Sequence, residues 1–382
     1  MHRLDAAQRM VIKIGSALLV DQPTGQLRAQ WLDSLTADIA QARRSGRDVI
    51  VVSSGAVALG RRLLQLPKGK LRLEEKQAAA AAGQVLLAHH YQASLAQHGV
   101  AAAQLLLTPD DTEDRRRHLN ARATLSTLLE LGAVPVINEN DTVATSELRF
   151  GDNDRLAARV AQMCGADTLV LLSDVSGLFE RNPQIDPTAK MISHIPTITA
   201  EIEGMAGAAP AGDSSGGMVT KIAAAKIATA AGCHVLLGDG HRLNPLQQFT
   251  VSADGNADYS WFQATAEPTK ARKRWIAGHV AVDGAVHLDA GAVKALQAGR
   301  SLLPAGVSRV DGPFERGDVV RVLGPDGTEH GRGLVAYGDH DAARIAGHQS
   351  REIEQLLGFA GREELIHRDD LVLTARSTDG PD

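Results

Sequence analysis

Through the first 260 residues, short continuous apolar runs alternate with longer amphipathic ones. Met10-Val-Ile-Lys-Ile-Gly15 reads as a strand, 29–45 as a helix stopped by Gly46, and Asp48-Val-Ile-Val-Val-Ser53 as a second strand. Helices over 56–64 and 74–98 follow, then strands over 100–107 and 133–137. A helix over 153–164, a strand over 167–172, a helix over 218–231 and a strand over 233–237 complete the series. Strands that are apolar throughout, rather than alternating with polar residues, are buried on both faces. Their alternation with helices specifies a mostly parallel sheet covered on both sides. The expected fold class is therefore α/β, a three-layer αβα sandwich around an open sheet. In such sheets ligands bind outside the carboxyl ends of the strands.

Near Glu267-Pro268-Thr-Lys-Ala-Arg-Lys-Arg274 the texture changes. Beyond it lie short runs and glycine-rich turns, such as Gly317-Asp-Val-Val-Arg-Val-Leu-Gly324-Pro-Asp-Gly327, which read as a small β-rich domain. A chain of 382 residues exceeds one ordinary domain of about 150 residues. The expected division is a catalytic domain over 1–265, a linker over 266–277, the β-rich domain over 278–357 and a tail over 358–382.

Composition narrows the function classes. The chain is 44% hydrophobic and 22% charged, as a packed globule requires, but only 3% aromatic, which disfavours base-stacking platforms for single-stranded nucleic acid. From Trp275 onward 11 Lys and Arg face 17 Asp and Glu, so the β-rich part lacks the basic excess of a nucleic-acid module, and such a partner is not expected. No uncharged apolar run approaches the roughly 18 residues of a membrane span, and the N-terminus lacks a signal-peptide pattern. Cys164 and Cys233 are too few for a disulfide framework or a cysteine-rich metal site. The expectation is a cytoplasmic protein with two buried thiols.

The strand ends carry the candidate chemistry. Lys13 stands within an apolar strand just before Gly15. It is either a lysine whose stem packs while its ammonium reaches water, or a lysine aimed at phosphates that Gly15 lets close to the backbone. Ser53-Ser54-Gly55-Ala56 leads from a strand into a helix, as a cap or as an anion-holding turn. Ser214-Ser-Gly-Gly-Met-Val-Thr-Lys221 also runs into a helix, and two glycines, a helix start and a lysine make a phosphate cradle without matching a Walker loop. Asn138-Glu-Asn-Asp141 and Gly151-Asp-Asn-Asp154 crowd amides and carboxylates around one strand end and one helix start. Ser173-Asp174 ends a further strand. Gly331-x-Gly333-x-x-Ala336 fits a loose dinucleotide pattern but lacks the strand–turn–helix context.

Taken in order, these segments resemble the amino-acid kinase family, and residues 278–357 resemble the PUA domain that many of these kinases carry, most clearly at Leu302-Leu-Pro-Ala-Gly306 and Arg344-Ile-Ala-Gly-His348. The resemblance implies ATP-dependent phosphorylation of the L-glutamate side-chain carboxylate to L-glutamyl 5-phosphate, the first step of proline biosynthesis, with Mg²⁺ bridging the nucleotide phosphates. Carried over by position, Lys13 and Lys221 contact the phosphates and Asp154 holds both lysines. Ser54, Asp141 and Asn153 bind glutamate. Ser173, Asp174 and the run Ser215, Gly216, Gly217, Met218, Val219, Thr220 and Lys221 bind ATP, as does Lys13. The resemblance also implies feedback inhibition by proline, a homo-oligomer and handover of product to glutamate-5-semialdehyde dehydrogenase. Ser16-Ala17, Ser215 and Val219 depart from the residues usual at those positions. The rival readings are a relative acting on acetylglutamate, aspartate or a nucleoside monophosphate, and an RNA-binding regulator with an inert kinase domain.

Overall fold

A computed structural model of the chain describes residues 3–143, 153–207, 217–249, 257–277, 282 and 284–374. They form two compact units, Met1–Pro268 and Thr269–Asp382.

The strands of the first unit are β1 (Arg9–Ile14), β2 (Asp48–Ser53), β3 (Ala102–Leu107), β4 (Val134–Glu139), β5 (Thr168–Ser173), the ribbon β6 (Leu178–Phe179) and β7 (Met191–Ile192), then β8 (His194–Ile195), β9 (His234–Asp239) and β10 (Tyr259–Phe262). Its helices are α1 (Ser16–Leu19), α2 (Ala29–Arg44), α3 (Ala56–Leu63), α4 (Leu73–Ala96), α5 (Pro109–Glu113), α6 (Arg115–Glu130), α7 (Asn153–Cys164), α8 (Ala200–Gly204) and α9 (Met218–Ala230). The main sheet has the order β3-β4-β2-β1-β5-β9-β10-β8. Every pair from β3 to β9 is parallel, as the apolar strands predict, and β10 runs antiparallel to β9. The chain leaves β1 toward β2 on one side and returns to β5 on the other, so the topological switch point lies beside β1.

The period of two along each strand distributes its side chains between two cores. Met10, Ile12 and Ile14 join Val49, Val51, Val134 and Val136 under α2 and α4. Val11 joins Ile50, Val52 and Ile137 on the opposite face, under α6, α7 and α9. This parity turns Lys13 toward α7 and α9, and turns Ser53 and Asn138 toward α4. Helices α3 and α4 touch backbone to backbone, because a Cβ on Gly60 would strike the Ala79 carbonyl and one on Gly83 would strike that of Ala56.

Two connections fell outside the sequence reading. Helices α5 and α6 fill the crossover between β3 and β4, and β10 and β8 extend the sheet edge; both lack the long apolar runs that marked the other elements.

The second unit holds α10 (Pro268–Ala277), β11 (Gly284–Leu288), α11 (Ala290–Gln297), β12 (Val307–Asp311), β13 (Val319–Leu323), β14 (Glu329–Leu334), α12 (Asp339–Ile345), α13 (Ile353–Leu357) and β15 (Leu371–Leu373). Its sheet has the order β12-β11-β13-β14-β15. Two boundary expectations are corrected. Much of the stretch read as a linker is helix α10, whose Ile276 is buried with Val319 and Leu334. Its dense Lys and Arg side chains concealed one apolar contact. The stretch read as a tail contributes Leu365, Ile366 and Leu371 to the core, and β15 pairs with β14. Runs of two or three apolar residues among charges show no period, so only pairing with a neighbouring strand reveals them. Gly331 and Gly333 lie in β14, where side chains would collide with Val372 and Ile366, so that glycine pattern serves strand packing.

Candidate active site

Lys13, Asp154 and Lys221 converge from the end of β1, the first turn of α7 and the first turn of α9. Lys13 Nζ lies 2.7 Å from Asp154 Oδ1 and Lys221 Nζ 3.5 Å from Oδ2. All three are buried, at 8%, 2% and 6% exposure for Lys13, Asp154 and Lys221. Thr220 Oγ1 lies 2.8 Å from both Asp154 Oδ2 and the Gly217 carbonyl, one proton shared between two acceptors. Burial by itself would raise the Asp154 pKa. The Lys13 and Lys221 charges, with hydrogen bonds from Lys13 and Thr220, outweigh it and hold the group at about 2. Among the described residues, one carboxylate between two ammonium groups leaves this cluster net positive. It lies at the starts of two helices of 12 and 13 residues, whose dipoles add to the same sign.

The surroundings leave room for an anion. Gly15 has φ −71° and ψ 148°, which any residue adopts, so the backbone does not require glycine there. A Cβ on it would come no nearer than 3.9 Å to any atom, the nearest being Leu172 O and Lys13 Nζ. The absent side chain therefore opens space in front of the Lys13 ammonium. Gly217 is the N-cap of α9 in extended conformation and has no side chain to cap it, so among the described residues the first amides of the helix meet no capping side chain. Ser173 is buried at the end of β5 and donates to Asp174 Oδ1 at 3.0 Å. Met218 and Val219 open α9, with Val219 exposed. Ser215 and Gly216 lie outside the described residues, as does most of the loop 142–150.

Beside this cluster is a cavity of about 740 Å³, with Ser16, Ser54, Asn138, Asp141 and Asn153 among its lining residues. Gly55 sits at φ +113°, a conformation that requires glycine, and so turns the chain from β2 into α3 with Ser54 on the cavity wall. Asn153 Nδ2 donates to Ser54 Oγ at 2.8 Å and to Asn138 Oδ1 at 3.1 Å. Asn153 Oδ1 is buried and meets no donor among the described residues. Burial and the charge of Glu139 push the Asp141 carboxyl up to about 7. The structure thus brings Ser54, Asp141 and Asn153 to one cavity and Lys13, Asp154 and Lys221 to its flank.

The sequence pointed to Asn138 only as part of the 138–141 segment, with no role of its own, and did not point to Gln84 as a site residue. Asn138 Nδ2 donates to Gln84 Oε1 at 2.8 Å, behind the cavity wall. The available signal was one glutamine in the alanine-rich face of α4, next to a glycine. Among the described residues no three His, Cys, Asp or Glu side chains are grouped to hold a metal ion, and Asp154 is already engaged by two lysines. These residues fit a divalent ion carried in on polyphosphate oxygens and water rather than one caged by protein. No helix among the described residues is long and apolar enough to cross a membrane.

Comparison with known proteins places this geometry in a family. Residues 8–239 match the model of the amino acid kinase family, and residues 284–357 that of the PUA domain. The chain is 57% identical over 371 residues to a glutamate 5-kinase of Rhodopseudomonas palustris (strain HaA2), covering 97% of this chain and 98% of that one. It is 58% identical over 370 residues to the glutamate 5-kinase of Allorhizobium ampelinum, covering 97% and 93%. That of Rhizobium rhizogenes is 57% identical over 372 residues, covering 97% and 94%. With more than half its length matched by the family model and near-complete coverage by such relatives, the chain belongs to the amino acid kinase family and carries a C-terminal PUA domain.

Proposed function

We propose that the chain transfers the γ-phosphoryl group of ATP to the side-chain carboxylate of L-glutamate, forming L-glutamyl 5-phosphate, the first step toward proline. The observation that carries this reading is the Lys13–Asp154–Lys221 cluster adjoining a cavity lined by Ser54, Asp141 and Asn153. A carboxylate attacking a polyphosphate is an encounter of like charges. It calls for alignment and for neutralisation of charge spreading over the transferring oxygens.

Lys13 and Lys221 are assigned to those oxygens, and Asp154 holds the two ammonium groups in register. Ser173, Asp174 and the segment from Ser215 to Lys221 are assigned to the nucleotide. Mg²⁺, bound to the phosphates, supplies further charge neutralisation. Asp141 is assigned to the substrate ammonium, and Asn153 and Ser54 complete the contacts to its ammonium and carboxylate. No general base is needed, since the glutamate side chain titrates near ~4.3 and is ionised at neutral pH. Proline, which shares the ammonium and carboxylate of glutamate, would compete for the same cavity. The acyl phosphate product is labile, which favours direct handover to glutamate-5-semialdehyde dehydrogenase. A cytoplasmic homo-oligomer completes the reading.

Trapping with hydroxylamine tests it. Protein, ATP, Mg²⁺ and L-glutamate should yield a coloured hydroxamate that aspartate and acetylglutamate do not. Product with another acid alone would keep the kinase and replace the substrate; no product with any acid would remove the reading.

A further inference from the structure

We propose that Gln84 is a positioning residue for the acceptor cavity: by holding the Asn138 amide it sets which hydrogen-bonding groups Asn153 and Ser54 turn toward the substrate. The proposal rests on the reading of that cavity as the L-glutamate site. Gln84 lies on α4, is 9% exposed and does not line the cavity.

The network runs in one direction. Gln84 Oε1 accepts from Asn138 Nδ2 at 2.8 Å. Asn138 Oδ1 accepts from the Glu139 backbone N–H at 2.9 Å and from Asn153 Nδ2 at 3.1 Å. Asn153 Nδ2 gives its second hydrogen to Ser54 Oγ at 2.8 Å. An amide can be turned over, but each end of Asn138 is matched. Reversed, its NH₂ would face two other donors and its oxygen would face the Gln84 oxygen. Removing the Gln84 acceptor leaves a buried N–H of Asn138 unpaired and takes away half of what opposes the reversal.

The consequence reaches the substrate. With both Asn153 N–H groups engaged, its buried Oδ1, which meets no donor among the described residues, is left as an acceptor, which suits an ammonium group. With Ser54 Oγ already accepting, its hydroxyl proton is left to donate, which suits a carboxylate. An α-amino acid carries these two groups on one carbon. The helix is placed for this work: Gly83 lets α4 press against α3, and Tyr91, two turns on from Gln84 along the same face, donates to Ser53 Oγ at 3.0 Å. Helix α4 thus grips the ends of β4 and β2, which carry Asn138 and Ser53.

The test is steady-state ADP release by the full chain, with L-glutamate and ATP varied separately, beside thermal unfolding. Gln84→Leu should raise the KM for L-glutamate about ten-fold while kcat and the KM for ATP stay within about two-fold. Gln84→Glu keeps an acceptor oxygen at the same reach and should return the KM for L-glutamate to within about three-fold of the parent. An unchanged glutamate KM in folded Gln84→Leu, or equal rises in both KM values, would overturn the proposal. Should Gln84→Leu not fold, Gln84→Met keeps the side-chain length, replaces the strong acceptor by a thioether and carries the same expectation. The parent tests the substrate reading separately. If it releases no ADP with glutamate, that reading fails, and the KM split is measured with the carboxylic acid it does accept.

Discussion

The Lys13 ammonium and the Asp154 carboxylate meet at 2.7 Å, the one from the end of β1 and the other from the start of α7. With Lys221 on the second oxygen, the carboxylate is outnumbered by positive charge in a site almost closed to water. Such an arrangement binds an anion better than it stabilises the empty protein, since burying charge is costly even when it is paired.

Removing the carboxylate should therefore harm the fold as well as the chemistry. Asp154→Ala leaves two buried ammonium groups facing one another, and breaking a buried pair in this way costs about 3–5 kcal/mol. Denaturant unfolding of parent and variant measures it, and ATP should restore more stability to the variant than to the parent. The parent should show the matching acid dependence. A carboxyl at about 2 in the folded chain and near 3.8 in the unfolded one contributes stability that is complete above pH 4. That contribution is lost as pH falls through 2.

Asp141 has the opposite sign. Its pKa of about 7 lies above the unfolded value of 3.8, so the ligand-free folded chain binds the extra proton. Stability should fall as pH rises from 4 to 7 and level off above it, a slope that Asp141→Asn should flatten. An ammonium substrate requires the ionised form. The KM for L-glutamate should then be about ten times higher at pH 6 than at pH 8, with little change in the KM for ATP. A pH-independent glutamate KM would remove Asp141 from the ammonium contact.

Lys221→Ala should chiefly lower kcat, by about 10²–10³, as the loss of one transition-state charge contact of about 3–4 kcal/mol does. Single-turnover measurement at saturating ATP separates this from weakened binding; an unchanged rate would exclude Lys221 from the transferring group.

Two glycine substitutions should part company. Gly15→Ala has room and an ordinary backbone conformation, so its thermal unfolding should match the parent while the KM for ATP rises about ten-fold or more. Gly60→Ala drives a methyl into the Ala79 carbonyl, separates α3 from α4 and should lower stability by about 1–3 kcal/mol or prevent folding. Calorimetry with ATP titration distinguishes the two outcomes.

Much of this protein was legible along the chain. The apolar runs located β1, β2, β4, β5 and β9 to within two residues at each end, because strands buried on both faces must be apolar throughout. Their alternation with helices dictated a parallel sheet, and that sheet dictated that Lys13, Ser54, Asn138 and Ser173 stand at or just beyond its carboxyl edge. Local sequence was silent where stability comes from distant partners. Helix α10 is dominated by Lys and Arg and strand β15 is only three residues long, so the segments read as linker and tail became part of a unit only through Val319, Leu334 and β14.

The tertiary structure alone decided which polar residues act together. Strand parity turned Lys13 toward α7 but Asn138 toward α4. Helix α4, packed on the sheet and pressed against α3 at Gly60 and Gly83, holds Gln84 within reach of Asn138. Hydrogen bonds span about 3 Å whatever the separation along the chain, and no local pattern encodes them.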